Sequence, residues 1–143
     1  MTDLALVRFY ACEGDPVPVA LRLLMKALDQ KQRTWVQGTE EALQRLSDAL
    51  WLQPGFQAHA GPSSPADVVG ASPIVLGHQA AEVGERLGLW IGLCASGDVD
   101  ALPAQRCFEL VGPSEPERQR GRQRYRAYQV AGYAPESVQV KAL

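Results

Sequence analysis

Apolar segments of strand length alternate along the chain with segments that carry helix-start signals, and this alternation restricts the fold more than any other feature. The strand-like segments are 4–11, 33–37, 73–76, 89–95 and 106–111, with a further short one at 56–60. Segment 89–95 is apolar on both faces, as expected for a central strand that is covered by helices on each side. Strands that alternate with helices predict an α/β layer fold with a largely parallel sheet.

Three helices are predicted from capping residues and from the spacing of apolar residues. Asp15 is a good cap for the first helix, and Thr39, which is followed by two acidic residues, starts the second, which runs to about Trp51. Residues 114–117, Ser-Glu-Pro-Glu, form a capping box that starts the third helix, which runs to about Val130. A segment rich in glycine, proline and serine, 61–72, is predicted to be a loop.

Length and composition indicate one globular domain over residues 1–143, since 46% of the residues are hydrophobic and 21% are charged. No apolar run approaches the ~20 residues of a membrane-spanning helix, and the N-terminus lacks the basic segment of a secretory signal. The three cysteines, Cys12, Cys94 and Cys107, are widely spaced among apolar residues. That spacing favours buried free thiols, so we expect a cytoplasmic protein.

The basic residues are concentrated in one place, although the net charge of the chain is −2. Every second residue from Arg118 to Arg126 is arginine, which places five of the fourteen basic residues in the third helix. Arg118, Arg122 and Arg126 recur at i, i+4 and i+8 and therefore share one helix face, beside Tyr125. This row is either a solvated helix face or a local anion-binding surface.

Two large aromatic residues near a turn, Trp51 and Phe56, offer a second binding feature. They either close the edge of the core or form an exposed apolar surface. An arginine row beside a tyrosine can bind a carboxylate through paired hydrogen bonds, while neighbouring rings accept an apolar side chain. Taken together, these features predict a site for a peptide that ends in an aromatic residue with a free carboxylate.

Motifs for catalysis and for cofactors are not found in the sequence. The first strand–helix turn, 13–16, has one glycine and two acidic residues, whereas a dinucleotide-binding turn needs three glycines and no such charge. His59 and His78 have no cysteine or carboxylate at metal-ligand spacing, and Asp98 and Asp100 lie in a glycine-flanked segment typical of a turn. We therefore predict no cofactor and no metal.

Two segments resemble the chi subunit of bacterial DNA polymerase III. Residues 122–133 are similar to the pattern R-x-R-Y-[KR]-x-Y-x-x-x-G-[FY] of the C-terminal helix of that family. Residues 46–51, followed by Pro54, Phe56 and His59, are similar to its L-D-x-x-L-W…P…F-x-x-H stretch. The order of the predicted elements agrees with that family over nearly the whole length.

The resemblance implies a Rossmann-like three-layer fold with a mainly parallel sheet, a single chi-like domain and no catalytic activity. Members of the family bind the acidic C-terminal tail of single-stranded-DNA-binding protein and, in some bacteria, the psi subunit, which tethers chi to the clamp loader. By position, the resemblance implies a tail site made of Trp51, Phe56, Arg118, Arg122, Tyr125 and Arg126. Two alternatives stay open: a module that binds single-stranded nucleic acid through the same arginines and tyrosines, and a nucleotide-binding α/β enzyme.

Overall fold

The computed structural model describes residues 6–53, 59, 61, 64, 72–77, 88–93 and 104–141. The strands in this part are β1 (Leu6–Cys12), β2 (Thr34–Gly38), β3 (Ile74–Leu76), β4 (Leu89–Leu93), β5 (Arg106–Val111) and β6 (Glu136–Val140). The helices are α1 (Pro16–Asp29), α2 (Glu40–Trp51) and α3 (Glu115–Val130). The strand predicted at 56–60 and most of the loop predicted at 61–72 lie outside the described residues.

The strands form one sheet in the order β3-β2-β4-β5-β1-β6, and all neighbouring strands are parallel. Helices α1 and α2 cover one face of the sheet, and α3 covers the other. This arrangement confirms the predicted three-layer α/β fold. Within the described ranges, no helix is both long enough and apolar enough to cross a membrane.

The sheet separates two apolar cores, because successive side chains of a strand point to opposite faces. In β2, Val36 packs in the core under α1 and α2, whereas Trp35 packs in the core under α3. In β5, Phe108 belongs to the first core and Cys107 to the second. A side chain of α2 and a side chain of α3 therefore have the full thickness of the sheet between them.

Strand β6 was missed in the sequence analysis. It pairs with β1 at the edge of the sheet, with Glu136 opposite Arg8, and most of its residues are exposed. A signal for it was present, since Ser137 to Val140 alternates polar residues with valine after Pro135. Four alternating residues near the end of a chain are a weak signal, and pairing with β1 is what makes them a strand.

The start of α1 is fixed by a single carboxylate. Asp15 accepts a hydrogen bond from the backbone N–H of Val17 at 3.0 Å, and it forms an ion pair with Arg45 of α2. Burial works to raise the pKa of the Asp15 carboxyl, but the hydrogen bonds from Val17 and Arg45 outweigh burial and leave the pKa below its usual value. Asp15 thus caps one helix and ties it to the next.

Replacing Asp15 by Ala should lower the free energy of unfolding by about 1 kcal/mol, the usual contribution of an N-cap. Asn keeps the cap acceptor and removes the charge, so Asp15→Asn should cost less. Because the pKa is lower in the folded state, the charge contribution is present above the unfolded-state pKa and is lost as the pH falls through the folded-state pKa. Urea unfolding at neutral and acid pH measures both effects. Equal stability of Asp15→Ala and wild type at neutral pH would contradict the cap.

Candidate partner-binding site

A groove of about 340 Å³ lies between α3 and the edge strand β6, above the carboxyl ends of β1 and β5. It is lined by Phe9, Ala11, Cys12, Val111, Gly112, Arg118, Gly121, Arg122, Tyr125, Ser137 and Gln139. Its volume is at the lower end of the range of roughly 300–1000 Å³ that is typical of small-molecule pockets. We refer to it below as the α3–β6 groove.

The approach of α3 to the sheet depends on a glycine. A Cβ atom on Gly121 would lie 2.8 Å from Cγ2 of Val111 in β5, closer than carbon atoms normally approach. Gly121 is therefore the point at which the helix backbone packs directly on the strand. This contact holds the N-terminal half of α3 next to the carboxyl ends of the strands, where the groove opens.

The base of the α3–β6 groove is aromatic. The rings of Phe9 and Tyr125 have centroids 5.1 Å apart and are tilted by 56°. The Tyr125 hydroxyl donates a hydrogen bond to the carbonyl oxygen of Pro135 at 2.9 Å, just before β6 begins. This bond ties α3 to the start of the edge strand and fixes the ring where its carbon atoms line the groove. The half-buried tyrosine thus supplies apolar surface, while its polar atom is already satisfied.

The groove carries two positive charges, because Arg118 and Arg122 line it. Among the described residues that line it there is no aspartate, glutamate, lysine or histidine, although Glu117 adjoins the lining residue Gly112. Arg122 forms an ion pair of 2.8 Å with Glu115 of the same helix, in which the two side chains are 55% and 72% exposed. Exposed pairs of this kind contribute little energy. Arg122 can therefore exchange Glu115 for the carboxylate of a ligand at small cost.

The lining of the groove is suited to binding rather than to catalysis. Burial raises the pKa of the Cys12 thiol to about 11, so this sulfur stays protonated and is a poor nucleophile. The other cysteine of the described ranges, Cys107, is buried with a pKa raised to about 12. Cys94 lies outside those ranges. Among the described residues no cluster of side chains could hold a metal ion.

One arginine of the segment 118–126, which lies outside the predicted row, has a structural role that was not predicted from the sequence. Arg124 is buried, and its Nε donates to both carboxylate oxygens of Glu109 in β5, at 3.0 and 2.9 Å. The Tyr128 hydroxyl donates to the same carboxylate. Burial raises the pKa of Glu109, while the bonds from Arg124 and Tyr128 oppose that rise. Burial also raises the pKa of Tyr128, with the charge of Glu109 adding to the effect. The three side chains fasten α3 to the centre of the sheet.

The buried ion pair of Arg124 and Glu109 determines which way the other arginines of α3 point. Residues two apart on a helix differ by about 200° around its axis, so Arg122 lies on roughly the opposite side from Arg124. Arg118 and Arg122 reach the α3–β6 groove, while Arg120 lines a small cleft on the other flank of α3. Arg126 is exposed and is not among the residues that line the groove. Of the predicted row, Arg118 and Arg122 line the groove and Arg126 does not, while Arg120 and Arg124 lie on other sides of the helix.

The structure does not bring Trp51 to the arginines. Trp51 ends α2 on the opposite face of the sheet, where its ring lies 4.9 Å from that of His59. His59 in turn shares a 2.7 Å hydrogen bond with Ser47 of α2. The tryptophan is 47% exposed, and the adjacent Leu52 is 84% exposed. Phe56 lies outside the described residues. The aromatic surface beside the arginines is instead provided by Phe9 and Tyr125.

The fold and the groove define a class of protein: a three-layer α/β protein in which the described residues form a cationic groove with an aromatic base. The family model of the DNA polymerase III chi subunit, HolC, matches residues 4–136 of the chain. The chain therefore belongs to the chi subunit family. It is an accessory, non-catalytic subunit of DNA polymerase III, which confirms the predicted family and the predicted lack of enzymatic activity. No curated protein matches the chain in a sequence search.

Replacing Arg124 by Leu should lower the free energy of unfolding by roughly 3–5 kcal/mol, because it leaves the Glu109 carboxylate buried without its counter-charge. Replacing both residues by Leu should cost less than the single change, since no unpaired charge then remains. Arg120→Ala, on the same helix but exposed, is the control and should change stability by about 0.5 kcal/mol or less. Urea unfolding measures all three. A loss equal to that of the control would show that the pair does not fasten the helix.

Proposed function

We propose that the chain captures the acidic C-terminal tail of single-stranded-DNA-binding protein in the α3–β6 groove and links that protein to the clamp loader. The observation that carries the proposal is the meeting of two arginines, Arg118 and Arg122, with an aromatic base in one open groove. A terminal carboxylate and a terminal aromatic side chain need this combination. Membership of the chi family supports the same partner.

Each part of such a tail has a counterpart in the groove. The terminal carboxylate is placed on Arg122, with Arg118 available to it or to a preceding acidic side chain, because guanidinium groups bind carboxylates through paired hydrogen bonds. The last side chain packs against Phe9, Tyr125 and Val111. An interface with a short peptide of this kind is expected to have a dissociation constant on the order of micromolar. Since charge attracts and anchors the tail, affinity should fall as salt is added.

The link to the clamp loader needs a second surface, because a subunit that joins two partners must hold both at once. Trp51 and Leu52 provide exposed apolar surface on the face of the sheet opposite the groove. We place the clamp-loader contact there, with the psi subunit as the partner where a bacterium has one. The earlier assignment of Phe56 to a partner contact stays a prediction.

Arg122→Ala should weaken binding of an acidic tail peptide by about 2 kcal/mol, roughly 30-fold, because the terminal carboxylate loses its paired donor. Arg120→Ala and Arg126→Ala are the control variants. Each removes one positive charge from α3, but neither residue is among those that line the groove. Both should weaken binding much less. Calorimetric titration with one peptide compares the three variants with wild type. Equal losses in all of them would mean that net charge, and not the groove, holds the tail.

Trp51→Ala should leave the affinity for the tail peptide unchanged, because the sheet separates residue 51 from the α3–β6 groove. It should reduce recovery of the clamp-loader complex when the chain is used as bait in a pull-down. Leu52→Ala is a partner variant on the same surface. If Trp51→Ala lost tail affinity while its circular dichroism spectrum and melting temperature stayed unchanged, the tail would bind on the α2 side of the sheet and not in the α3–β6 groove.

A further inference from the structure

The edge strand β6 has one side of its backbone unpaired within the described part of the chain. It stands last in the sheet and pairs with β1, and no other described strand pairs with it. An edge of this kind presents N–H and C=O groups to which another extended chain can pair. Natural edges are usually blocked by charge, proline or a covering element. In β6 such residues stand only at the two ends, Pro135 and Glu136 before and Lys141 after, and the residues between them carry no charge.

The hydrogen-bond pattern indicates which residues of β6 point outward. The backbone N–H of Glu13 donates to the carbonyl oxygen of Val140 at 2.9 Å, so the polar backbone groups of Val140 point towards β1. In a strand these groups alternate in direction from one residue to the next. Val138 therefore also points towards β1, and the backbone N–H and C=O groups of Ser137 and Gln139 point away from the sheet.

Ser137 and Gln139 also line the α3–β6 groove. They pair with Phe9 and Ala11 of β1, and Phe9 packs on the α3 face, so their side chains point to that face as well. Their side chains are thus directed to the groove, and their backbone groups are directed to the open edge beside it. A peptide whose last residue occupies the groove and whose preceding residues leave past β6 would run along these unpaired groups. The groove and the edge are continuous.

We infer that the edge of β6 pairs with the main chain of the tail segment that precedes the captured terminal residue. The inference rests on the proposed tail capture and adds a second, sequence-independent part to it. An acidic segment suits this role, because repulsion between its own charges keeps it extended and the arginines of the groove attract it. In peptide recognition by strand addition, main-chain hydrogen bonds supply affinity while side-chain pockets supply specificity.

The first test uses wild-type protein and a synthetic acidic peptide that ends in phenylalanine with a free carboxylate. Single amides of the peptide are N-methylated in turn, which removes one main-chain donor at a time. In a strand that pairs along one side, alternate amides face β6, so methylation at alternate positions should weaken binding roughly 3- to 10-fold and methylation between them should have little effect. The terminal tripeptide alone should bind more weakly than the full peptide.

The second test changes the edge itself. Gln139→Pro removes one outward N–H and leaves the ladder to β1 in place, because residue 139 does not donate to β1. Gln139→Ala keeps that N–H and is the matched control. The proline variant should bind the full peptide more weakly than the alanine variant does, while both should bind the terminal tripeptide equally. The experiment with methylated peptides uses wild-type protein, so its result does not depend on whether any variant folds.

The outcomes separate the two proposals. If neither the full peptide nor the tripeptide binds, tail capture fails and the edge pairing fails with it. If both bind and no alternation with methylation is seen, the edge pairing is overturned and tail capture stands. If sedimentation shows dimers that Gln139→Pro dissociates, with no effect of methylation, a second copy of the chain occupies the edge and the inference is again overturned.

Discussion

The ion pair between Arg124 and Glu109 is the interaction on which the candidate site depends. It is buried in the core between α3 and the sheet, and Tyr128 completes it by donating to the same carboxylate. A helix with few apolar residues cannot be held on a sheet by apolar burial alone, and α3 is strongly polar. The buried pair fixes both its position and its rotation, while Gly121 permits the close approach to Val111.

Because the rotation of α3 is fixed, the neighbouring arginines point in different directions. With Arg124 pointing inward, Arg118 and Arg122 face the groove beside β6, and Arg120 faces away from it. The parallel sheet then separates this groove from the exposed end of α2, where Trp51 lies. The function that we propose uses this geometry: it assigns one partner to the groove and the other to the exposed end of α2, on opposite faces of the sheet.

The relative positions of side chains on α3 could be derived from the sequence because helix spacing is local, whereas their role in binding stays a prediction. Arg118, Arg122 and Tyr125 share a face because of helix spacing, and the structure places all three in the groove. Trp51 was expected beside these arginines but lies on the other face of the sheet, because no local pattern states on which side of a sheet a helix packs. The burial of Arg124 could not be predicted for a similar reason, since it depends on Glu109 in strand β5.

The sequence by itself determined the ends of the helices and the central strands: Asp15, Thr39 and Ser114 cap the three helices of the described ranges as predicted, and apolar runs identify the central strands. These features depend on hydrogen bonds and burial within a few residues of chain. The tertiary structure alone decided that β6 joins the sheet and that one arginine of five is buried. Both outcomes require partners distant in sequence, Glu109 for the arginine and β1 for the strand, and no local pattern records such partners.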